Sequence, residues 1–208
     1  MDFKQIFGFM GNDLSKTIRD CEDQFSQKPY KNNLKGALEE RKIDRRLLDS
    51  CFEAKKMFSQ INTIIHSVGI LVCLPNILAK NEEVCKLSLG AGNTGKAFDL
   101  ETNMRVAEFK FIDWKGGPES IRQNGVFKDF FTLAESETTR KKELYIFCPE
   151  IVMKFFNGNR SISSVTSKDT KLRDIFATRY KKLKVVSDYY NLKKRAVSIL
   201  DLEQFLKP

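Results

Sequence analysis

The sequence predicts an α/β (α+β) fold: a central mixed β-sheet flanked by helices, with a helical region ahead of it. Three observations carry that expectation. Apolar residues at Leu47, Cys51, Ala54, Phe58, Ile61, Ile65 and Val68 step by four and three, which is one continuous helix stripe. Segments 84–89, 96–101 and 105–112 alternate apolar and polar residues with the two-residue period of half-buried strands. Helix and strand patterns then interleave to residue 201, an order that lays helices over a sheet. The chain accordingly reads as a helical N-terminal region at 1–68 and a sheet-containing core with a basic C-terminal part at 69–208.

In chain order, residues 1–42 are polar and punctuated by Gly8, Gly11, Pro29 and Gly36, so they read as short helices joined by loops. Asp44 suits the N-cap of a long helix that the stripe carries to about His66. Gly69 and Pro75 are expected to end that run. The stripe could also be a coiled-coil seam between two copies, although three heptads more often pack a helix on its own sheet. A short helix at 76–83 leads to the strands at 84–89, 96–101 and 105–112. A helix follows at 118–135, with Pro118 in its first turn and Glu119 at the positive end of its dipole. Then come a strand at 142–148, helices at 150–157 and 169–180, and strands at 183–190 and 195–201.

Composition narrows the function classes. No apolar run approaches the roughly 18 residues of a membrane span, and Met1-Asp2-Phe3-Lys4 lacks the pattern of a secretory leader. The expectation is a cytoplasmic protein with no membrane partner. The five cysteines are scattered and there is one histidine, His66, so structural zinc and Cys-His or Ser-His-Asp catalysis are poor fits. His66 itself reads as a packed histidine. The net charge of +9 is uneven. Residues 1–139 balance at 20 basic and 20 acidic, and residues 140–208 hold 16 basic against 7 acidic. Such a tail suits a polyanion, most simply nucleic acid.

The two central strands carry the chemistry. On the second, Ala107, Phe109 and Phe111 point one way, and Glu108, Lys110 and Ile112 the other. Glu and Lys on one face of an aromatic-rich strand form a local conflict of the kind that marks a site. A turn centred between Asn103 and Met104, with Asn103 tolerant of the left-handed conformation, pairs the strands so that Asp99 lies directly opposite Glu108. Their Cβ atoms would then be about 4.5–5.5 Å apart. Carboxylates that close repel unless a cation lies between them, and hard oxygen ligands with bound water favour Mg²⁺ or Mn²⁺. Lys110, one strand step on, would orient or deprotonate the attacking water, or stabilise the charge of a pentavalent phosphate.

The D-(x)8-E-x-K pattern of Asp99, Glu108 and Lys110 resembles the PD-(D/E)xK superfamily of nucleases, which includes type II restriction enzymes and helicase-associated exonucleases. The resemblance covers roughly residues 76–148. It implies a restriction endonuclease-like sheet with the Asp and the E-x-K on adjacent strands, and Mg²⁺-dependent hydrolysis of phosphodiester bonds, in DNA before RNA. A role in restriction, defence or repair follows from the resemblance alone. Gln123, with Phe127 one turn on, is similar to the Q-x3-Y element of the exonuclease branch. Glu82 or Glu83 stands where the family's first core helix often adds a metal ligand. Phe98 replaces the family proline, and Phe127 the tyrosine. The implied roles are catalysis by Asp99, Glu108, Lys110 and Gln123, and metal binding by Glu83 (or Glu82), Asp99, Glu108 and the Phe109 carbonyl.

Lys96 and Arg122 are candidate contacts to substrate phosphate. Lys96 closes a near match to a P-loop at 90–97, but Ala97 stands where a Ser or Thr must ligate Mg²⁺. Trp114 reads as a half-buried cap on the sheet edge. A second reading keeps the fold without the catalysis: a nucleic-acid-binding or assembly subunit, working as a homodimer or beside a partner that cleaves.

Overall fold

Local sequence explains how two helices of the N-terminal region begin. The computed structural model describes residues 2–26, 31–90, 97–112, 114 and 119–206. It divides into two units, Met1–Asn62 and Thr63–Pro208. In the first, α1 (Phe3–Met10) is capped by the Asp2 carboxylate, which accepts from the Lys4 and Gln5 amides. It stops at Gly11, whose φ of +57° is the left-handed geometry glycine adopts freely. Helices α2 (Leu14–Ser26), α3 (Lys31–Glu40) and α4 (Arg45–Phe58) follow. Asp44 caps α4 by accepting from the Leu47 amide at 2.9 Å, as its sequence position suggests. The Asp2 amide donates to Ser50 Oγ, joining α1 to α4.

The single helix expected from Asp44 to His66 is two. Helix α4 ends at Ser59, whose hydroxyl donates to the Lys56 carbonyl, and α5 (Ile61–Ile77) starts anew. Helix α5 continues through both Gly69 and Pro75 and takes in the start of the short helix expected at 76–83. Packing overrides propensity here. Ile70, Cys73 and Ile77 are buried on one face of the sheet, and Gly69 lies so close to it that an added Cβ would stand 2.4 Å from the Phe111 ring. The opposite face of α5, with Ile64, Ile65, Val68, Leu71 and Val72, is exposed. Residues 60–79 contain no Asp, Glu, Lys or Arg, and Arg45–Ile77 is long and apolar enough to cross a membrane by length and composition. The expectation that no apolar run reaches that length therefore does not hold.

Among the described residues, five strands form one mixed sheet in the order of the chain: β1 (Val84–Leu87), β2 (Leu100–Thr102), β3 (Arg105–Lys110), β4 (Lys141–Ile146) and β5 (Ser198–Asp201). The β1–β2 and β2–β3 pairs are antiparallel; β3–β4 and β4–β5 are parallel. Each parallel step requires a crossover. The first is α6 (Ser120–Glu135). The second contains α7 (Pro149–Phe156), α8 (Ile162–Val165), α9 (Thr170–Thr178) and α10 (Val186–Lys193). One face of the sheet packs Val106, Leu144 and Ile146 against Phe127, Phe130 and Phe131 of α6 and the helices of the second crossover. The other packs Leu100, Ala107, Phe109 and Tyr145 against α5 and the short 3-10 turn Leu202–Phe205.

The strand expected at 183–190 is absent, and most of those residues form α10. The Val185-Val186 and Tyr189-Tyr190 pairs imitate β-sequence, but the Asp188 carboxylate accepts from the Lys184 and Val185 amides and starts a helix. Trp114 is buried in the α6-side core and is not a half-buried cap on the sheet edge. Residues 91–96 of the near P-loop, Lys96 among them, and Pro118 lie outside the described residues.

Candidate functional site

The site depends on the β2–β3 register. Leu100 pairs with Ala107 and Glu101 with Val106, so one step further Asp99 faces Glu108, the register read from the turn. The turn itself is made differently. Asn103 does not take the left-handed conformation; the Thr102 hydroxyl accepts from the Met104 and Arg105 amides at 3.0 and 2.8 Å. Asn103 bonds back to Glu83, donating its amide and accepting at its side-chain oxygen.

Asp99 precedes β2 with its carboxylate turned onto the neighbouring strand. Its Oδ2 accepts from the Phe109 amide at 2.9 Å, and its Oδ1 lies 3.3 Å from His66 Nε2 on α5. Burial opposes its ionisation, but His66 and the Phe109 amide hold its pKa below the ordinary value. Glu108 behaves oppositely. Burial, then the charges of Asp129 and Asp99, push it up to about 10 against the pull of Lys110. Burial and like charge thus favour one proton on the pair, with Glu108 as the protonated acid and Asp99 as the carboxylate.

Lys110 is held from the other side of the core. Its Nζ lies 2.6 Å from Asp129 Oδ2 on α6, and both side chains are largely buried. Burial alone would lower the Lys110 pKa, but Asp129, Glu108 and Asp99 raise it, so the amine is an ammonium. Burial raises the Asp129 pKa despite Lys110. Three carboxyls and one ammonium thus share a buried space. With every carboxyl ionised, three negative charges would face the one Lys110 ammonium.

The other residues that the sequence nominates fall elsewhere. Glu82 is locked to Arg105 by two 2.7 Å contacts and accepts from the Thr102 hydroxyl and the Ala79 amide. Burial opposes, but Arg105 dominates, and Glu82 is held at about 2. Its role is to tie the chain before β1 to the hairpin, with Glu143 and Tyr145 completing the Arg105 network. Glu83 is exposed at the turn end of the hairpin opposite Asn103, four residues or ~13 Å along the strand from Asp99. Neither glutamate joins the Asp99–Glu108 pair. Gln123 is six residues before Asp129, hence about 120° round the helix from it, and its side chain accepts from Arg160. Arg122 contacts Glu119 at 3.2 Å on the outer part of α6. Phe109 stacks on Tyr145 at 4.8 Å in the core facing α5, and its amide serves Asp99.

Comparisons with protein-family models, curated proteins and solved structures find no match to this chain.

His66 and Asp129 are site residues that the sequence pattern does not single out. His66 sits in an apolar helical stripe, and only the α5–sheet contact brings it to Asp99. Asp129 has a visible signal: a lone carboxylate between Lys128 and Phe130, flanked by buried aromatics on a helix otherwise facing the core. Among the described residues, no three His, Cys, Asp or Glu side chains are gathered into a preformed metal site. The donor set is a carboxylate pair. That fits Mg²⁺ or Mn²⁺, which use one or two carboxylates and complete their shell with water and substrate oxygens, better than zinc, which needs three or four converging protein ligands.

Proposed function

We propose that the chain is a divalent-metal-dependent nuclease, with Asp99 and Glu108 as metal ligands and Lys110 as the positive group beside the scissile phosphate. The observation that carries this reading is the apposed carboxylate pair, in which burial and like charge hold one acid protonated well above its ordinary range. Such a pair gains most from a dication in place of the shared proton. The mixed sheet, with Asp99 just before β2 and the E-x-K of Glu108–Lys110 on the adjacent β3, supports the resemblance to the PD-(D/E)xK superfamily and a restriction endonuclease-like core. The uneven charge supports nucleic acid as substrate, and the resemblance favours DNA.

A bound dication supplies Lewis-acid polarisation of a phosphoryl oxygen. The chain supplies the rest. The Phe109 amide and His66 fix the Asp99 carboxylate, so it needs no reorganisation to bind. Lys110 is charged and pinned by Asp129. An ammonium cannot accept a proton, so Lys110 acts as a donor to the oxygen on which charge develops, not as the base that activates water.

The test is a plasmid-nicking assay with Mg²⁺, Mn²⁺ or EDTA. Cleavage should require the metal and fall by a factor of 100 or more in Asp99→Ala and in Lys110→Ala, the scale expected for loss of a transition-state donor (roughly 10²–10³). Metal-dependent cleavage that survives both substitutions would sink the mechanism. Binding without cleavage in the parent protein would favour the nucleic-acid-binding subunit instead.

A further inference from the structure

A second feature lies on α6, the helix that carries Asp129. Between α6 and the α8–α9 segment lies a cavity of about 200 Å³. Drug-sized ligands need about 300–1,000 Å³, so this one admits a small ring or a single phosphate group. Its floor is apolar, formed by the buried Val165 and Leu172. Its rim presents hydrogen-bond donors. Asn124 directs its side-chain oxygen to Arg160 at 2.8 Å, which leaves its amide hydrogens for another partner. Lys128 and the exposed Lys168 bring two ammonium groups. The one acid there, Asp169, already accepts from Lys128 at 2.8 Å and from the Leu172 amide at 3.0 Å. The lining therefore offers donors, and its acceptor is engaged.

Gly125 decides what fits. It lies in the middle of a helix, where glycine is unfavourable, yet its φ is not positive and an added Cβ would meet nothing within 4 Å. Neither backbone geometry nor packing requires glycine there, and the space above it is the cavity. A bare helical backbone opposite two aliphatic side chains makes a slot for a flat ring. Gly125 is also one helical turn from Asp129, the residue that pins Lys110, and the Lys128 charge acts on Asp129.

We propose that this cavity is a nucleotide subsite, with a nucleobase over Gly125 and the adjoining phosphate on Lys128 and Lys168, on the helix that also carries Asp129. Its role as part of a cleaving enzyme rests on the nuclease reading, but its occupancy is testable without cleavage. The measurement is fluorescence anisotropy of a labelled octathymidylate on full-length Asp99→Ala protein in EDTA. Gly125→Leu, which fills the slot without changing charge, should weaken binding at least tenfold. Lys168→Ala, at an exposed position, should weaken it about fivefold. Thermal unfolding establishes that each variant is folded. Thymidine monophosphate should compete with the strand and inorganic phosphate at equal concentration should not. Unchanged binding in either variant overturns the subsite, as does equal competition by phosphate, which would make it a plain anion site. Failure of the parent protein to nick plasmid, with binding still lost in both variants, would remove the nuclease reading and leave the subsite standing.

Discussion

With burial and the charges of Asp129 and Asp99 acting on it, Glu108 keeps its proton up to about pH 10, whereas an unfolded chain releases it near 4.5. Between those values the folded protein holds a proton that the unfolded chain has lost. The contribution of this group to stability is therefore full below about pH 4.5 and declines as pH rises toward 10. Thermal unfolding in EDTA should give a melting temperature that falls across this window. Glu108→Gln, which stays neutral in much the same shape, should flatten that dependence while abolishing metal-dependent cleavage. Saturating Mn²⁺ should raise the melting temperature of the parent but not of the variant, because only a ligand of the folded state stabilises it. An identical pH dependence in parent and variant would show that Glu108 does not carry the shared proton.

At the scale of elements, the site is held by an ion pair that joins β3 to α6. Removing one partner of a buried pair leaves the other uncompensated, at a cost of about 3–5 kcal/mol, whereas replacing both with apolar residues is often neutral. Lys110→Met and Asp129→Leu should each destabilise the fold by roughly that amount. The double variant should recover most of it yet remain inactive, as denaturant unfolding and the nicking assay would report. Additive losses in the double variant would mean that the two side chains do not act as a pair. Gln123 occupies the other side of α6, where it serves Arg160. Gln123→Ala should therefore reduce cleavage less than tenfold, in contrast to any loss at Asp129.

Over the whole molecule, what is legible in the sequence is whatever is local. The β2–β3 register follows from a two-residue turn and the strand period, and it brings Asp99 opposite Glu108. The Asp44 cap and the aromatic face of α6 are equally local. Most of the failures depend on distant partners. Helix α5 passes through Gly69 and Pro75 because a sheet lies beneath it. Val185–Tyr190 is helical because Asp188 caps it and Tyr189 donates to Glu135, 54 residues away. Glu82 has the look of a metal ligand until Arg105 claims both its oxygens. His66 and Asp129 reach the site from two different helices on opposite faces of the sheet, an arrangement that no short pattern encodes.

The missing side chain at residue 69 works as a spacer gauge. A methyl group there would collide with the Phe111 ring, so the standoff between α5 and the sheet is calibrated by one hydrogen atom. His66, one turn earlier on the same helix, rides on that setting. Gly69→Ala should therefore detune Asp99 from a position that touches none of the reacting groups, lowering cleavage and melting temperature together. Phe111→Leu, trimming the opposing surface, should restore both in the double variant. If the second change fails to rescue the first, the gauge is elsewhere.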